Sequence, residues 1–439
     1  MTTHAYPEAE QLLNFIDRSP SPWHATANMA QQLTDAGYQE LKEADNWSLV
    51  AGQRCFVIRD ESSLIAFELG SELPSGAGFT LVAAHTDSPG LRVKPNPAYQ
   101  AKGLVRLGVE IYGGPILATF TDRDLGLAGR LVYRLQGKLS TKLIRFENPL
   151  MRIPNLAIHL NREVNSRGLL LDKQTQLAPL LSAAGEELPP QQQFRKLLAD
   201  QAGIDEADLV SWELNLFDSL PGSFYGPAGE YIANGQLDNL ASCDAALTAL
   251  LQSSQPSAQT RVCGFFDHEE VGSTSHKGAA GSFMADTLQR ISAAFENDPE
   301  ANKLAMARSF LVSADMAHAW NPAFPSAYDD QHPIQVNHGP VIKINANQRY
   351  TTEAVSEAIF SEICARAEIP VQRFVSRSDM PCGSTIGPMS AAALGIRSID
   401  VGNPMWSMHS ARESAGAADH ALMIKALTAF LAEPAAVDY

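Results

Sequence analysis

Val262-Cys263-Gly264-Phe265-Phe266, running straight into Asp267-His268-Glu269-Glu270-Val271-Gly272-Ser273, is the stretch on which the reading of this chain turns. The apolar run suits a strand covered on both faces. It ends in two adjacent glutamates that a buried strand end does not need. Side chains alternate faces on extended backbone, so Glu269 and Glu270 are expected to point differently. One can then hold a cation while its neighbour stays free as a base.

Similar runs recur along the chain. Phe79–Ala84 ends in His85-Thr86-Asp87-Ser88-Pro89, Ser309–Ala314 ends in Asp315, and Gln372–Val375 is a further strand candidate. Ile396–Val401 reads as the last strand, followed by Pro404–His409 and a terminal helix from about Ala417. Helices are predicted over residues 7–37 (broken at Ser19-Pro20-Ser21-Pro22), Leu240–Gln252, Ala285–Phe295 and 351–367, with Asp238 and Asn239 at the capping end of the second. Strands alternating with helices imply an α/β fold in three layers, a largely parallel sheet with helices on both faces. In such sheets ligands bind beyond the carboxyl ends of the strands, where His85, Glu269, Glu270 and Asp315 fall.

Between about Leu91 and Tyr231 the texture changes to short β-like pieces, Leu104–Ile111, Ile116–Thr121 and Leu131–Leu135, with a Gln- and Leu-rich helical stretch over 169–207. Residues 1–91 and 232–439 are therefore read as one discontinuous domain, and 92–231 as a β-rich domain inserted into it.

The chain has 439 residues, 45% of them hydrophobic, enough for a sizeable core. A formal net charge of -16 argues against non-specific binding to nucleic acid or anionic membrane. An acidic substrate would need a local cation. No apolar run is long enough to span a bilayer, and Met1–Glu8 lacks signal-peptide features. Cys55, Cys243, Cys263, Cys364 and Cys382 are scattered and odd in number, as expected of small core residues in a reducing compartment, so the cytoplasm is the expected location. Cys382 has no identifiable base to make it a nucleophile.

His85, Asp238, Glu270, Asp315 and His409 have the chemistry of a metal centre. Imidazole and carboxylate suit zinc or a similar divalent ion, and the lack of thiolates suits a catalytic site. Three carboxylates and a bridging hydroxide nearly balance two divalent ions, which form a recognised hydrolytic device. Asp238 can bridge the pair, and Asp87, two residues after His85, can hold its imidazole. Glu269 remains as the base for a metal-bound water, passing its proton to a leaving amine. Taken singly, each has a bland reading: a structural histidine, an N-cap, a turn cap. Their joint placement favours the metal.

Five motifs recur in order: His85-Thr86-Asp87-Ser88-Pro89, Gln236-Leu237-Asp238-Asn239, Asp267–Ser273, Ser313-Ala314-Asp315-Met316-Ala317-His318 and Met408-His409-Ser410-Ala411-Arg412-Glu413. With Ile153–Leu160 and Val341–Asn345, they resemble the aspartyl aminopeptidases, the M18 family of metallo-exopeptidases. The resemblance implies a zinc-peptidase domain with an inserted dimerisation domain. It also implies two zinc ions, replaceable by Co2+ or Mn2+, one held by His85, Asp238 and Asp315, the other by Asp238, Glu270 and His409. It makes Glu269 the base and Asp87 its supporting acid. It further implies dimers built into a tetrahedral dodecamer, with His159 reaching a neighbouring subunit's site to stabilise the developing oxyanion. Lys343 matches the position that contacts an acidic N-terminal side chain, Asp then Glu, with Arg349 and Tyr350 close behind. His276 is not counted as a ligand. The bland readings are a strand histidine at a domain contact for His159 and a solvated edge-strand lysine for Lys343. Two other functions fit the same residues: a two-metal tetrahedral aminopeptidase of broader or neutral specificity, and a catalytically silent assembly protein.

Overall fold

Strands that must bury both faces have to lie side by side under helices, and the largest sheet shows how. The computed structural model describes residues 5–185, 188–253, 255–296 and 298–433. Its nine-stranded sheet runs in the order Gln39–Leu41, Arg54–Arg59, Ser63–Glu68, Thr260–Phe266, Phe79–His85, Phe310–Ala314, Arg397–Gly402, Val341–Ile344 and Gln372–Val375. Thr260–Phe266, Phe79–His85, Phe310–Ala314 and Arg397–Gly402 form a parallel centre. Antiparallel pairings lie outside it, to Ser63–Glu68 on one side and Val341–Ile344 on the other, so the sheet is mixed.

Alternate side chains of the central strands feed two cores. Val82, Ala84, Cys263, Phe265, Val312 and Ala314 pack with the helices Pro7–Asp17, Pro22–Asp35, Leu237–Gln252, Ala354–Arg366 and Asp419–Ala432. Leu81, Ala83, Val262, Phe266 and Leu311 pack with Phe283–Phe295, Pro299–Ala307 and Ile386–Leu394. Each large buried side chain contributes about 1.5–3 kcal/mol. A one-residue slip would exchange the two cores, so packing fixes the register, and with it the height at which His85 leaves the sheet, opposite Phe266.

Strands between Gly90 and Asp218 form a separate six-stranded sheet, with the helix Pro190–Ala202 packing Phe194 and Leu198 into its core. A five-stranded sheet joins Ser223–Tyr225, Tyr231–Asn234, Glu413–Gly416, Pro404–Trp406 and Ala317–His318. Arg130 of the six-stranded sheet reaches across to the Arg54–Arg59/Ser63–Glu68 turn, 3.0 Å from Asp60 and 3.2 Å from Glu61. Asp60 in turn meets the buried Lys277 at 2.9 Å, which also lies 3.0 Å from Asp267.

Three expectations need correction. The helix expected over 169–207 is confined to Pro190–Ala202, and Leu180–Ala183 is a strand. Pro179 and Pro189 bound that strand's segment, and proline resists helix continuation. Ile116–Thr121 is not extended: Leu117–Phe120 is a 3-10 turn, closed by the Thr119 and Thr121 hydroxyls donating to Ile116 O and Ala118 O. Ile396–Val401 is not the last strand, because Pro404–Trp406 and Glu413–Gly416 follow it.

His24 supplies a test of the packing. Burial, helped by the Arg145 charge, lowers its pKa from 6.5 to about 4. The imidazole is therefore neutral in the fold while the unfolded chain takes up a proton below pH 6.5. Stability should fall as pH drops from about 6.5 to 4, by at most about 1.4 kcal/mol per pH unit. In thermal melts, His24→Asn should show a shallower loss of Tm across this window than wild type.

Candidate metal centre

His85 is the last residue of its strand, and Asp315 directly follows Ala314, the end of the next one. Glu269 and Glu270 are not on extended backbone. The strand stops at Phe266, His268 turns the chain at φ 69°, and Glu269–Val271 is a single 3-10 turn. The turn, and not strand alternation, separates the two carboxylates. Asp238 sits in the first turn of Leu237–Gln252 with non-helical angles, φ -85° and ψ 104°. It is therefore not an ordinary N-cap. His409 lies in the link between Pro404–Trp406 and Glu413–Gly416, at φ 69°.

These segments bring the five residues together. His85 Nε2 is 3.4 Å from Asp238 Oδ1 and 3.8 Å from Asp315 Oδ2. His409 Nε2 is 3.3 Å from Asp238 Oδ2 and 3.5 Å from Glu270 Oε1. Asp238 thus turns one oxygen to each histidine. Atoms ligating a tetrahedral ion at about 2.0–2.1 Å lie roughly 3.3–3.4 Å apart, so the spacing matches zinc. The triplets His85/Asp238/Asp315 and Asp238/Glu270/His409 each converge within 4.8 Å, and a third, His85/Glu269/Glu270, places Glu269 at the same centre.

The electrostatics ask for cations. Burial raises the pKa of Glu269 to about 8 and drives Glu270 well above the usual carboxylate range, with neighbouring carboxylates adding to both. Burial would raise Asp238 too, but the His409 and His85 imidazoles outweigh it and hold Asp238 low. Both imidazoles are pushed upward against their own burial, His409 to about 10, by Asp238 and the surrounding carboxylates. Asp238 Oδ1 is buried and accepts no hydrogen bond. Imidazole and carboxylate donors, an orphaned buried oxygen and crowded negative charge together fit a divalent ion.

Asp87 does more than orient His85. Its Oδ1 and Oδ2 accept the backbone N–H groups of Glu269 and Glu270, each at 3.1 Å, and Tyr112 donates its hydroxyl to Oδ2 at 2.6 Å. His85 Nδ1 is closer to the Asp87 carbonyl, at 3.0 Å, than to its carboxylate, at 3.5 Å. His409 Nδ1 rests 3.1 Å from Gly114 O. With both Nδ1 atoms so engaged, both rings present Nε2 to the centre.

Lys343 is buried on an interior strand of the sheet, not solvated at an edge. Its Nζ is 3.0 Å from Met316 O and 3.3 Å from Asp315 Oδ1, and 5.1 Å from the centroid of the buried Tyr350 ring. Arg349 is exposed and donates to Gly383 O. His159 lies on an exposed turn, not a strand, and joins none of the histidine and carboxylate clusters found among the described residues. Sequence reading assigned no role to Tyr112, Gly114, Glu413 or His318. Tyr112 and Gly114 come from the six-stranded sheet's side and carry no local signal. Glu413 and His318 lay inside motifs already noticed. Burial and the Lys343 charge hold His318 neutral, with a pKa of about 4.

Paired histidine and carboxylate triplets without thiolates, at the carboxyl ends of an α/β sheet, define a metallohydrolase. The family model described as aminopeptidase I zinc metalloprotease (M18) matches residues 15–431, and the chain belongs to that family of zinc aminopeptidases. The probable M18 family aminopeptidase 2 of Stutzerimonas stutzeri is 47% identical, the match covering 95% of this chain and 96% of the relative. A chain of the cryo-EM structure of the Ape4 and Nbr1 complex superposes with a TM-score of 0.93 at 38% identity, over 97% of this chain and 85% of that one. The S. cerevisiae mApe1 dodecamer gives a TM-score of 0.85 at 28% identity, over 96% and 95%.

Removing the metal should leave the carboxylates uncompensated. Dialysis against a chelator is expected to lower Tm by several degrees and zinc to restore it, since an ion present at 100 times its Kd stabilises by about 2.7 kcal/mol. An unchanged Tm would count against a bound ion here.

Proposed function

We propose that this aminopeptidase holds two divalent ions and removes acidic residues, Asp and then Glu, from peptide N-termini. One ion is assigned to His85, Asp238 and Asp315, the other to Asp238, Glu270 and His409. When bound, the ions supply Lewis-acid polarisation of the scissile carbonyl and make water at the site more acidic. Glu269 takes the proton of the attacking water and returns it to the leaving amine. Its carboxylate joins His85 and Glu270 in one cluster, which places it beside the water it would act on.

The acidic preference rests on one observation, the buried Lys343 ammonium beside the centre. An ammonium has three donors. Met316 O and Asp315 engage two of them, leaving one for a substrate carboxylate. Tyr350 walls this position, and Arg349, next to it in sequence, is assigned to the rim of the same pocket. One feature favours the broader-specificity reading: Asp315 already neutralises part of the Lys343 charge.

Assembly is part of the proposal. Residues 92–231 are assigned as a dimerisation domain inserted into the catalytic domain of 1–91 and 232–439, and the dimers as units of a dodecamer like the mApe1 relative. Leu156, Ile158 and Leu160 are exposed around His159, as suits a loop that another subunit covers. His159 would then act on the neighbour's substrate. All five cysteines are free, in keeping with a cytoplasmic setting, and no helix among the described residues is long and apolar enough to cross a membrane.

Two substitutions test the chemistry. Glu269→Gln should cut kcat by several powers of ten with metal content intact; loss of metal would show that the two glutamates have exchanged roles. Lys343→Ala should reduce kcat/KM for Asp-peptides far more than for Leu-peptides. Equal losses, or a wild-type preference for Leu, would overturn the acidic assignment.

A further inference from the structure

Glu413 is a carboxylate that the reaction does not call for. It is only 2% exposed and stands close to Asp238, whose negative charge acts on it. Another buried carboxylate beside an acidic cluster is costly unless it is tightly hydrogen-bonded. Its partners are specific. Oε2 accepts the backbone N–H of Asp238 at 3.0 Å, and Oε1 accepts that of His409 at 2.6 Å. The strand Glu413–Gly416 pairs antiparallel with Tyr231–Asn234, setting Glu413 opposite Asn234, so the carboxylate is carried on a rigid element.

Both residues it grips need an outside anchor. His409 is a non-glycine residue at φ 69°, and Asp238 has non-helical angles inside a helical turn. A left-handed non-glycine residue persists only where its surroundings hold it, and the N–H of Asp238, at the start of a helix, has no partner within that helix. The two segments are distant in sequence, and Glu413 fastens both with one group. Asp87 makes the same bidentate grip on Glu269 N and Glu270 N. The two carboxylates therefore divide the centre: Asp87 fixes the glutamate turn, and Glu413 fixes the residues that share the second triplet.

We propose that Glu413 is a positioning residue for the second metal subsite, acting through the backbone of Asp238 and His409, and that it sets the affinity for the second ion more than for the first. The inference rests on the two-ion reading above. Asp238 and His409, both held by Glu413, are two of the three ligands assigned to the second ion, whereas only Asp238 is among the three assigned to the first. An ionised carboxylate accepts on both oxygens; the isosteric amide of glutamine accepts on one and turns an NH2 group against the other N–H. Supports of this kind typically change metal affinity 10–100-fold.

The test is zinc titration of the chelator-stripped full chain, with bound zinc per chain read by elemental analysis and calorimetry. Wild type should take up two zinc ions; uptake of one would overturn the two-ion reading itself. Glu413→Gln should bind the second zinc 10–100-fold more weakly and the first, which shares only Asp238 with it, with a clearly smaller loss. Asp419→Asn is the control for a purely structural effect. Asp419 is also a buried carboxylate accepting two backbone N–H groups, from Asn337 at 2.5 Å and Gly339 at 2.9 Å, away from the centre. It should lower Tm and leave both zinc affinities unchanged. If Glu413→Gln does not fold, Glu413→Asp replaces it, a carboxylate one carbon too short to reach both amides, judged by the same criterion. Wild-type affinity for both ions in the Glu413 variant, or equal weakening of both, would overturn the proposal.

Discussion

Mutual repulsion among buried carboxylates is the constraint around which this molecule is built. Asp87, Asp238, Glu269, Glu270, Asp315 and Glu413 gather in one pocket of the fold. Two unit charges 4 Å apart repel by about 4 kcal/mol at an effective dielectric of about 20. The chain answers this in two ways. Asp87 and Glu413 are each engaged by two backbone N–H groups, Asp87 by a tyrosine hydroxyl and the His85 ring as well. The rest are left with open oxygens that only cations can satisfy. Lys343 partly meets that demand at Asp315, and the remainder is what a metal ion supplies.

The frame of this arrangement was legible in the sequence because packing writes it there. Runs such as Phe79–Ala84 and Val262–Phe266 serve two cores and so are almost wholly apolar; the one hydroxyl among them, on Thr80, donates to Gln259 Oε1. Polar residues directly after them stand out. That contrast exposed His85, Glu269, Glu270 and Asp315, and the structure gathers them with Asp238 and His409.

What the sequence concealed depends on turns and on contacts between distant segments. The two glutamates were separated on the premise of extended backbone, but a left-handed His268 and a 3-10 turn perform the separation. No periodicity announces such a turn. Lys343 reads as an ordinary strand lysine until its strand is placed inside the sheet, where burial changes its meaning. Tyr112 and Gly114 belong to a stretch whose own pattern speaks only of a second sheet, so their reach toward Asp87 and His409 exists only in three dimensions. The leucine-rich stretch before residue 190 misleads because its residues favour helix, while its prolines and its pairing to Leu104–Arg106 decide otherwise.

The chain of charges from Arg130 through Asp60 and Lys277 to Asp267 has a mechanical meaning. Asp267 Oδ1 accepts the N–H of His268, the residue whose turn aims the glutamates. The six-stranded sheet thus grips the glutamate turn from behind through four ionic side chains. Any displacement of that sheet is carried through these ion pairs to the turn that holds Glu269 and Glu270. Loosening the joint would shift the two glutamates against the rest of the cluster while leaving both sheets intact.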